Sequence, residues 1–375
     1  MDRICTIIAL NYLPQAMALL ESTRKVYPKI DFYVLIIDAT SKDLVSLPSA
    51  KVLIPQDLDI PEQWLLEMSF YYDSMELATS LKPFLLKTLL EKGVSTVTFL
   101  DPDILLFNKL DEGMRAAEKY GIALTPHRLT PANINGGETL DLGFLQYGIF
   151  NLGYISVGQK SKPMLNWWGT RLRWYCTKFP NDAVFTDQKW MNFVPALFEH
   201  EVIKHSGYNL ATWNIDERLL TKRNGKLYAG AKELVFIHFS QMSGALALGH
   251  KTDRWRNALS NIQDSQSTLI TIEQMTDGYI NRLKIFGNEA RADNNNLKLA
   301  KPIGYHTKRK IIRQIVKNYE NKNSPKHENK EFLTLKHHKL YLGLTLFLEK
   351  SSALNGFRDG LHSDFLKIKS RFSRN

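Results

Sequence analysis

The sequence predicts an α/β fold, with a mostly parallel central sheet flanked by helices and a basic helical appendage towards its C-terminal end. Three observations carry that expectation. Short apolar runs rich in β-branched residues alternate with segments of helical spacing from the first residues onward. One such run leads directly into Asp101-Pro102-Asp103. Finally, the net charge of +11 is localised: residues 301 to 375 hold 17 Lys and Arg against 6 Asp and Glu, whereas residues 1 to 300 hold 32 of each kind.

Residues 4 to 10 (ICTIIAL) and 32 to 37 (FYVLII) read as strands, with helical spacing between them over residues 15 to 26. That strand, helix, strand unit opens a parallel sheet. Residues 52 to 54 form a third strand, and an irregular Pro-containing stretch follows. Residues 75 to 92 (MELATSLKPFLLKTLLEK) have helical spacing, with Pro83 accommodated at a helix start or a kink, and Gly93 ends the pattern. Residues 94 to 100 (VSTVTFL) resume as a strand that ends at the acidic pair. Residues 121 to 125, 148 to 150 and 154 to 157 read as further strands, residues 162 to 179 as an aromatic-rich helix, and residues 233 to 237 as a last core strand that delivers His238. The polar, Asn-rich stretch 287 to 300 reads as a linker. It divides a domain over 1 to 286 from a basic region over 301 to 375, in which 308 to 319 and 332 to 350 have the pattern of amphipathic basic helices.

At 375 residues and 44% hydrophobic content, the chain can bury a large core. Only Cys5 and Cys176 occur, which excludes a disulfide framework and a cysteine metal site and fits a reducing compartment. The first apolar run stops at Asn11, too short for a signal peptide or a membrane span, and no later stretch approaches the roughly twenty apolar residues a span needs. The expected location is therefore cytoplasmic. The basic region suits a peripheral contact with an anionic membrane face or a lipid-linked phosphate; a merely solvated tail is the other reading of the same composition. No nucleic-acid motif accompanies the charge, so no nucleic-acid partner is expected.

Two carboxylates two positions apart at a strand end can offer oxygens to one hard cation, and such a cation can bridge two phosphates. Taken alone, Asp-x-Asp is more often turn chemistry than a metal site. Here it lies between VSTVTFL and the apolar ILLF, where a turn between buried strands has no need of two acids. His238 alone would be read as a satisfied core histidine, Lys82 as a solvated helix lysine, and Asp187 as a helix N-cap. Trp167, Trp168, Trp174, Trp190 and Trp213 read mainly as core, with sugar stacking as the alternative.

The run FLDPDILLF (99 to 107) resembles the acidic metal motif of retaining GT-A glycosyltransferases, especially family eight, the glycogenin and lipopolysaccharide galactosyltransferase type. Four further segments follow that family's order. LATSLKPF (77 to 84) is similar to the helix whose basic residue reaches the donor phosphate, which implies that role for Lys82. IFNLGYISV (149 to 157) is similar to the Asn-x-Gly strand lining the sugar pocket, implicating Asn151 and Gly153. FTDQKW (185 to 190) resembles the segment beside the reacting sugar carbon and implies catalytic roles for Asp187 and Gln188. VFIHFS (235 to 240) resembles the strand ending in a third metal ligand, His238, beside Asp101 and Asp103.

The resemblance covers residues 1 to 250 and implies a GT-A fold, a Mn²⁺ or Mg²⁺ cofactor and a nucleotide-diphosphate sugar as donor. It further implies a saccharide or lipid-linked saccharide acceptor, transfer with retention, and work in surface polysaccharide or lipopolysaccharide biosynthesis. By analogy with that fold, Asn11 and Tyr12 after the first strand, and Asp38 after the second, belong to the nucleotide side. Two departures stand out. No Lys-Pro-Trp follows His238, leaving Lys251 as a substitute after an insertion, and the family's Asp-Gln-Asp reads Asp187-Gln188-Lys189.

Two other classes compete. A nucleotidyltransferase making sugar nucleotides would carry a Gly-rich phosphate loop after its first strand, and ALNYLPQ has no glycine. A non-catalytic protein binding nucleic acid or membrane through the basic tail would leave the acidic pair purely structural.

Overall fold

Strand β1 (Asp2–Ile8) is covered on both faces, Ile4 and Ile8 joining one core and Cys5 and Ile7 the other. Strand β2 (Asp31–Ile36) repeats the pattern, with Phe32, Val34 and Ile36 on one side and Tyr33 and Leu35 on the other. Strands buried on both faces need no polar alternation, which is why these runs read as continuously apolar.

The computed structural model describes residues 2–39, 47–131, 137–178, 184–240 and 252–293. β1 and β2 belong to a seven-stranded sheet with β3 (Lys51–Leu53), β4 (Thr96–Leu100), β6 (Ile122–Pro126), β7 (Phe150–Gly158) and β8 (Glu201–Val202), in the order β3-β2-β1-β4-β7-β6-β8. The β1, β2, β3 and β4 pairings are parallel and β8 is parallel to β6, while β7 runs antiparallel to both its neighbours. The C-terminal ends of β1, β2, β4 and β6 therefore share one edge with the N-terminal end of β7. Helices α1 (Leu13–Val26) and α5 (Asp111–Tyr120) cover one face. The other face is covered by α2 (Glu62–Tyr71), α3 (Ser74–Ser80), α4 (Lys82–Leu90) and α7 (Lys162–Leu172).

A third core lies beside this sandwich. β5 (Ile104–Leu106) pairs antiparallel with β12 (Phe236–His238), and β9 (Leu220–Arg223), β10 (Lys226–Ala229) and β11 (Lys232–Glu233) form a small antiparallel sheet. Leu105, Ile237 and Phe239 pack there against Trp255 of α9 (Asp253–Leu259) and Ile272 and Tyr279 of α10 (Gln266–Asp293). Arg282 of α10 pairs with Glu21 of α1 at 2.9 Å.

The structure departs from the sequence expectation in several places. The expected helix over 75 to 92 is two helices, because Pro83 starts α4 and the chain breaks at Leu81. The Pro-containing stretch after residue 54 contains α2. The two strands expected over 148 to 150 and 154 to 157 are one nine-residue strand, β7, buried throughout, while Gly148, at φ +111°, makes the turn leading into it. The helix expected over 162 to 179 stops at Leu172. α6 (Gly137–Tyr147) and α8 (Val194–Leu197) had no counterpart in the sequence reading.

Helix α10 occupies residues 287 to 293, where the sequence suggests a linker. Residues 294 to 300, the basic region 301 to 375 with its two expected helices, and Lys251 lie outside the described residues. Both cysteines are free and buried. Among the described residues, no helix is long and apolar enough to cross a membrane.

The Tyr279 ring stacks on Phe239 with centroids 4.5 Å apart and planes within 12°, and so braces the residue that follows β12. Among the described residues its hydroxyl has no hydrogen-bond partner. Tyr279→Ala is expected to lower stability by about 3 to 5 kcal/mol, the usual cost of removing a buried ring, whereas Tyr279→Phe leaves it unchanged or slightly higher. Urea denaturation of the two variants checks this.

Candidate metal and donor site

The shared sheet edge collects the polar residues that follow its strands. Asn11 and Asp38 are exposed there and Tyr12 is half-buried. The Leu10 backbone N–H donates to Asp38 Oδ1 at 2.9 Å, tying the ends of β1 and β2 together. One strand further along, β4 ends at Asp101, whose N–H donates to the Gly153 carbonyl of β7 at 2.8 Å.

The turn from Asp101 to Ile104 is closed by Ile104 N–H donating to Asp101 O at 3.1 Å, so both carboxylates project from one short turn. The β5–β12 ladder sets His238 opposite Ile104, and Phe239 N–H donates to Asp103 O at 2.9 Å. His238 Nε2 consequently lies 3.0 Å from Asp103 Oδ1 and 3.7 Å from Asp101 Oδ2. The three side chains offer ligand atoms that all lie within 4.8 Å of one another. Their accessibility is graded: side-chain exposure is 31% for Asp101 and 21% for Asp103, against 4% for His238.

The donor chemistry of this trio fits a divalent cation. His238 Nδ1 is engaged with Asn151 Oδ1 at 3.1 Å, so the other ring nitrogen is the one that faces the carboxylates. Burial works against protonation of His238, but Asp103 and Asp101 overcome it and hold the imidazole above its ordinary pKa. Carboxylates that draw a proton to Nε2 would equally draw a cation. Desolvation pushes Asp101 up to about 6 against the pull of Lys82 and His238, with repulsion from Asp103 and Asp187 adding to it. A cation would relieve that crowding of negative charge.

Lys82 stands at the start of α4, and its side chain is 2% exposed. Its ammonium is 2.7 Å from Asp187 Oδ2 and 3.8 Å from Asp101 Oδ1, and it donates to Leu152 O at 2.9 Å. Burial alone would lower its pKa, yet the two carboxylates keep it above the usual lysine value. The Phe99 ring lies 4.3 Å from the ammonium. The resemblance implies a phosphate contact for Lys82; in this structure its ammonium is paired with Asp187 and lies 3.8 Å from Asp101. Asp187, similarly buried, faces Lys82, and its carbonyl accepts from Trp168 Nε1 at 3.1 Å.

Asn151, Gly153 and Gln188 lie against the same group. A Cβ on Gly153 would come within 2.7 Å of His238 Nδ1 and 2.9 Å of Asn151 Oδ1, so the glycine makes room for the imidazole. Gln188 straps the 185 to 188 turn to β7: its Oε1 accepts from Leu152 N–H at 3.1 Å and its Nε2 donates to Tyr147 O at 2.9 Å. Among the tryptophans, Trp168 is fully buried and Trp167 packs edge-on against Trp190 at 6.0 Å.

The structure adds residues that the sequence reading missed. His127, just after β6, is buried, and Trp213 packs edge-on against both His127 and His238, with centroids 5.4 Å away in each case. Arg128 grips Asp216 through two hydrogen bonds of 2.7 and 2.8 Å, and Glu217 accepts from the N–H groups of Leu129 and Thr130. These bonds lock the segment after β6 to the turn carrying Trp213. The available sequence signal was position: His127 ends a strand at the same sheet edge as Asp101.

No family model matches the chain. Among curated proteins it is similar to YfnF of Bacillus subtilis (strain 168), at 23% identity over 243 residues, covering 63% of this chain and 80% of YfnF. It is also similar to YfnD of the same organism, at 25% identity over 249 residues, covering 63% and 76%. Solved structures that it resembles include glycosyltransferases. They include the galactosyltransferase LgtC in complex with donor and acceptor sugar analogues, with 15% identity, 56% of this chain and 76% of that one covered, and a TM-score of 0.39. For the bifunctional glycosyltransferase WbbM the values are 14%, 71%, 51% and 0.41.

Because Gly153 holds open the space occupied by His238, Gly153→Ala is expected to push the imidazole off Asn151 and weaken Mn²⁺ binding by about tenfold or more, the usual effect of disturbing a ligand's supporting contacts. Titration of Mn²⁺ followed by the electron paramagnetic resonance of the free ion measures the loss.

Proposed function

We propose that this chain is a metal-dependent glycosyltransferase of the GT-A kind, moving a sugar from a nucleotide-diphosphate donor to a saccharide or lipid-linked saccharide acceptor. The carrying observation is the convergence of Asp101, Asp103 and His238 at the sheet edge, above a lysine buried in an ion pair with Asp187. The five sequence segments that resemble family eight supply the residues of this one cluster, which supports retention of configuration and a role in surface polysaccharide or lipopolysaccharide assembly.

In this reading, Asp101, Asp103 and His238 would hold Mn²⁺ or Mg²⁺, which would supply electrostatic stabilisation of the charge that develops on the departing diphosphate. The protein's own groups prepare that place. Lys82 offsets part of the negative charge of Asp101 and Asp187. Asn151 orients His238, and the Gln188 amide fixes the wall between β7 and the 185 to 188 turn. Asp187 acts through Lys82, while Asn11, Tyr12 and Asp38 receive the nucleoside at the neighbouring strand ends. With retention, the acceptor hydroxyl approaches the face that the diphosphate leaves.

Calorimetric titration with a panel of nucleotide sugars, in Mn²⁺, Mg²⁺ or EDTA, tests this reading. The expected outcome is cation-dependent binding of a donor that disappears in Asp103→Ala, with sugar transfer reduced about a hundredfold or more. Absence of binding by every nucleotide to the folded protein would overturn the reading.

We further propose that residues 301 to 375 hold the enzyme to an anionic membrane face, where a lipid-linked acceptor resides. Their 17 basic residues support this, at about 1 kcal/mol for each Lys or Arg near such a surface. Flotation with phosphatidylserine vesicles is expected to recover the protein at low salt but not at high salt. Glutamate at Lys308, Arg309, Lys310 and Arg313 is expected to weaken recovery, and equal recovery of wild type and variant would count against the proposal.

A further inference from the structure

A row of polar side chains runs behind His238, away from the carboxylates. His127 Nδ1 is 3.2 Å from Ile149 O, His127 Nε2 is 3.3 Å from Asn151 Nδ2, and Asn151 Oδ1 is 3.1 Å from His238 Nδ1. The direction of every bond in this row follows from its two ends. A carbonyl oxygen can only accept, so His127 carries its proton on Nδ1 and presents a bare Nε2. A bare nitrogen can only accept, so the Asn151 NH₂ turns towards His127 and its oxygen towards His238. Gly153 N–H donates to that same oxygen at 3.2 Å, in agreement with this orientation. His238 Nδ1 then faces an acceptor, so an imidazole that offers its Nε2 lone pair to a cation donates from Nδ1 to Asn151; without a cation, Asp103 Oδ1, 3.0 Å from Nε2, competes for the same proton.

We infer that His127 is a positioning residue for the cation site: as the neutral acceptor at the closed end of this row, it fixes the Asn151 amide and, through it, the His238 tautomer that can ligate a metal. The inference rests on the metal reading proposed above. The surroundings of His127 suit an acceptor that stays uncharged. Phe144 stacks on its ring at 4.9 Å and Trp213 closes it edge-on, so the imidazole lies in an aromatic slot. Burial there holds its pKa down to about 4. Were the Asn151 amide to turn over, its NH₂ would meet His238 Nδ1 and the Gly153 N–H. The imidazole would answer by moving its proton to Nε2, the atom needed for a cation.

Two variants separate positioning from packing. His127→Phe keeps the aromatic slot filled and accepts nothing, whereas His127→Gln restores both an acceptor and a donor. Each is compared with wild type by two measurements on the full chain. The first is Mn²⁺ affinity from the free-ion resonance. The second is the imidazole nitrogen shifts of His238 in metal-free, ¹⁵N-labelled protein at alkaline pH.

The expected result is a larger share of Nε2–H for His238 in His127→Phe than in wild type or His127→Gln. Mn²⁺ affinity should fall about tenfold or more in His127→Phe and recover in His127→Gln. A His127→Phe protein that binds Mn²⁺ and divides its His238 tautomers as wild type does overturns the inference. The two readings fail separately. Wild type that binds no Mn²⁺ overturns the metal reading, and with it the ligand role of His238, while the nitrogen shifts still decide whether His127 sets the tautomer.

Discussion

Lys82 carries its charge to a place from which water is excluded, and a buried ammonium costs several kcal/mol unless acceptors surround it. Asp187, Asp101 and the Leu152 carbonyl are those acceptors, and between them they fix where α4, β4, β7 and the 185 to 188 turn must meet. The dependence is mutual. Three carboxylates within reach of one another at a sheet edge repel, and without a cation beneath them Asp101 would be driven further towards its neutral form. The ion pair is therefore less a source of net stability than a specification of geometry. Removing one partner would leave an uncompensated buried charge, so the arrangement tolerates little drift.

Above that charge, precision comes from backbone pairing rather than from side-chain reach. The β5–β12 ladder is only three residues long, yet it sets His238 opposite Ile104 and so beside Asp103. A one-residue slip would turn the imidazole to the other face of the ribbon. So short a ladder cannot hold itself, and the third core supplies the support: Ile237 and Phe239 are buried against α9 and α10. A helix far along the chain thus contributes to where the His238 imidazole lies.

The two structural themes meet at Asn151. One amide accepts from His238 and from Gly153 N–H, donates towards His127, and lies 3.5 Å from Gln188 Oε1. Gly153 allows this crowding because it has no Cβ to compete with the imidazole. The orientation of His238 is in this way tied to the strand that also shapes the neighbouring wall.

Local chemistry was legible in the sequence. Apolar runs ending in polar residues marked β1, β2 and β4, because strands buried on both faces leave a one-dimensional trace. The acidic pair stood out because it interrupted such a pattern at a strand end, and the order of five segments pointed to their residues. Less legible was anything set by long-range contact. That Lys82 is buried against two acids depended on how deeply α4 packs, and burial of a lysine has no local signature. The merging of two expected strands into β7 depended on pairing with β4 and β6 on either side. His127 had no motif at all, since its importance arises only when Asn151 and His238 are brought to it. The sequence by itself determined which segments would be strands and helices and where the acids would emerge, because periodicity and turn chemistry act over a few residues. Only the tertiary structure decided which atoms meet, because registry, burial and hydrogen-bond direction are settled between residues that the chain keeps far apart.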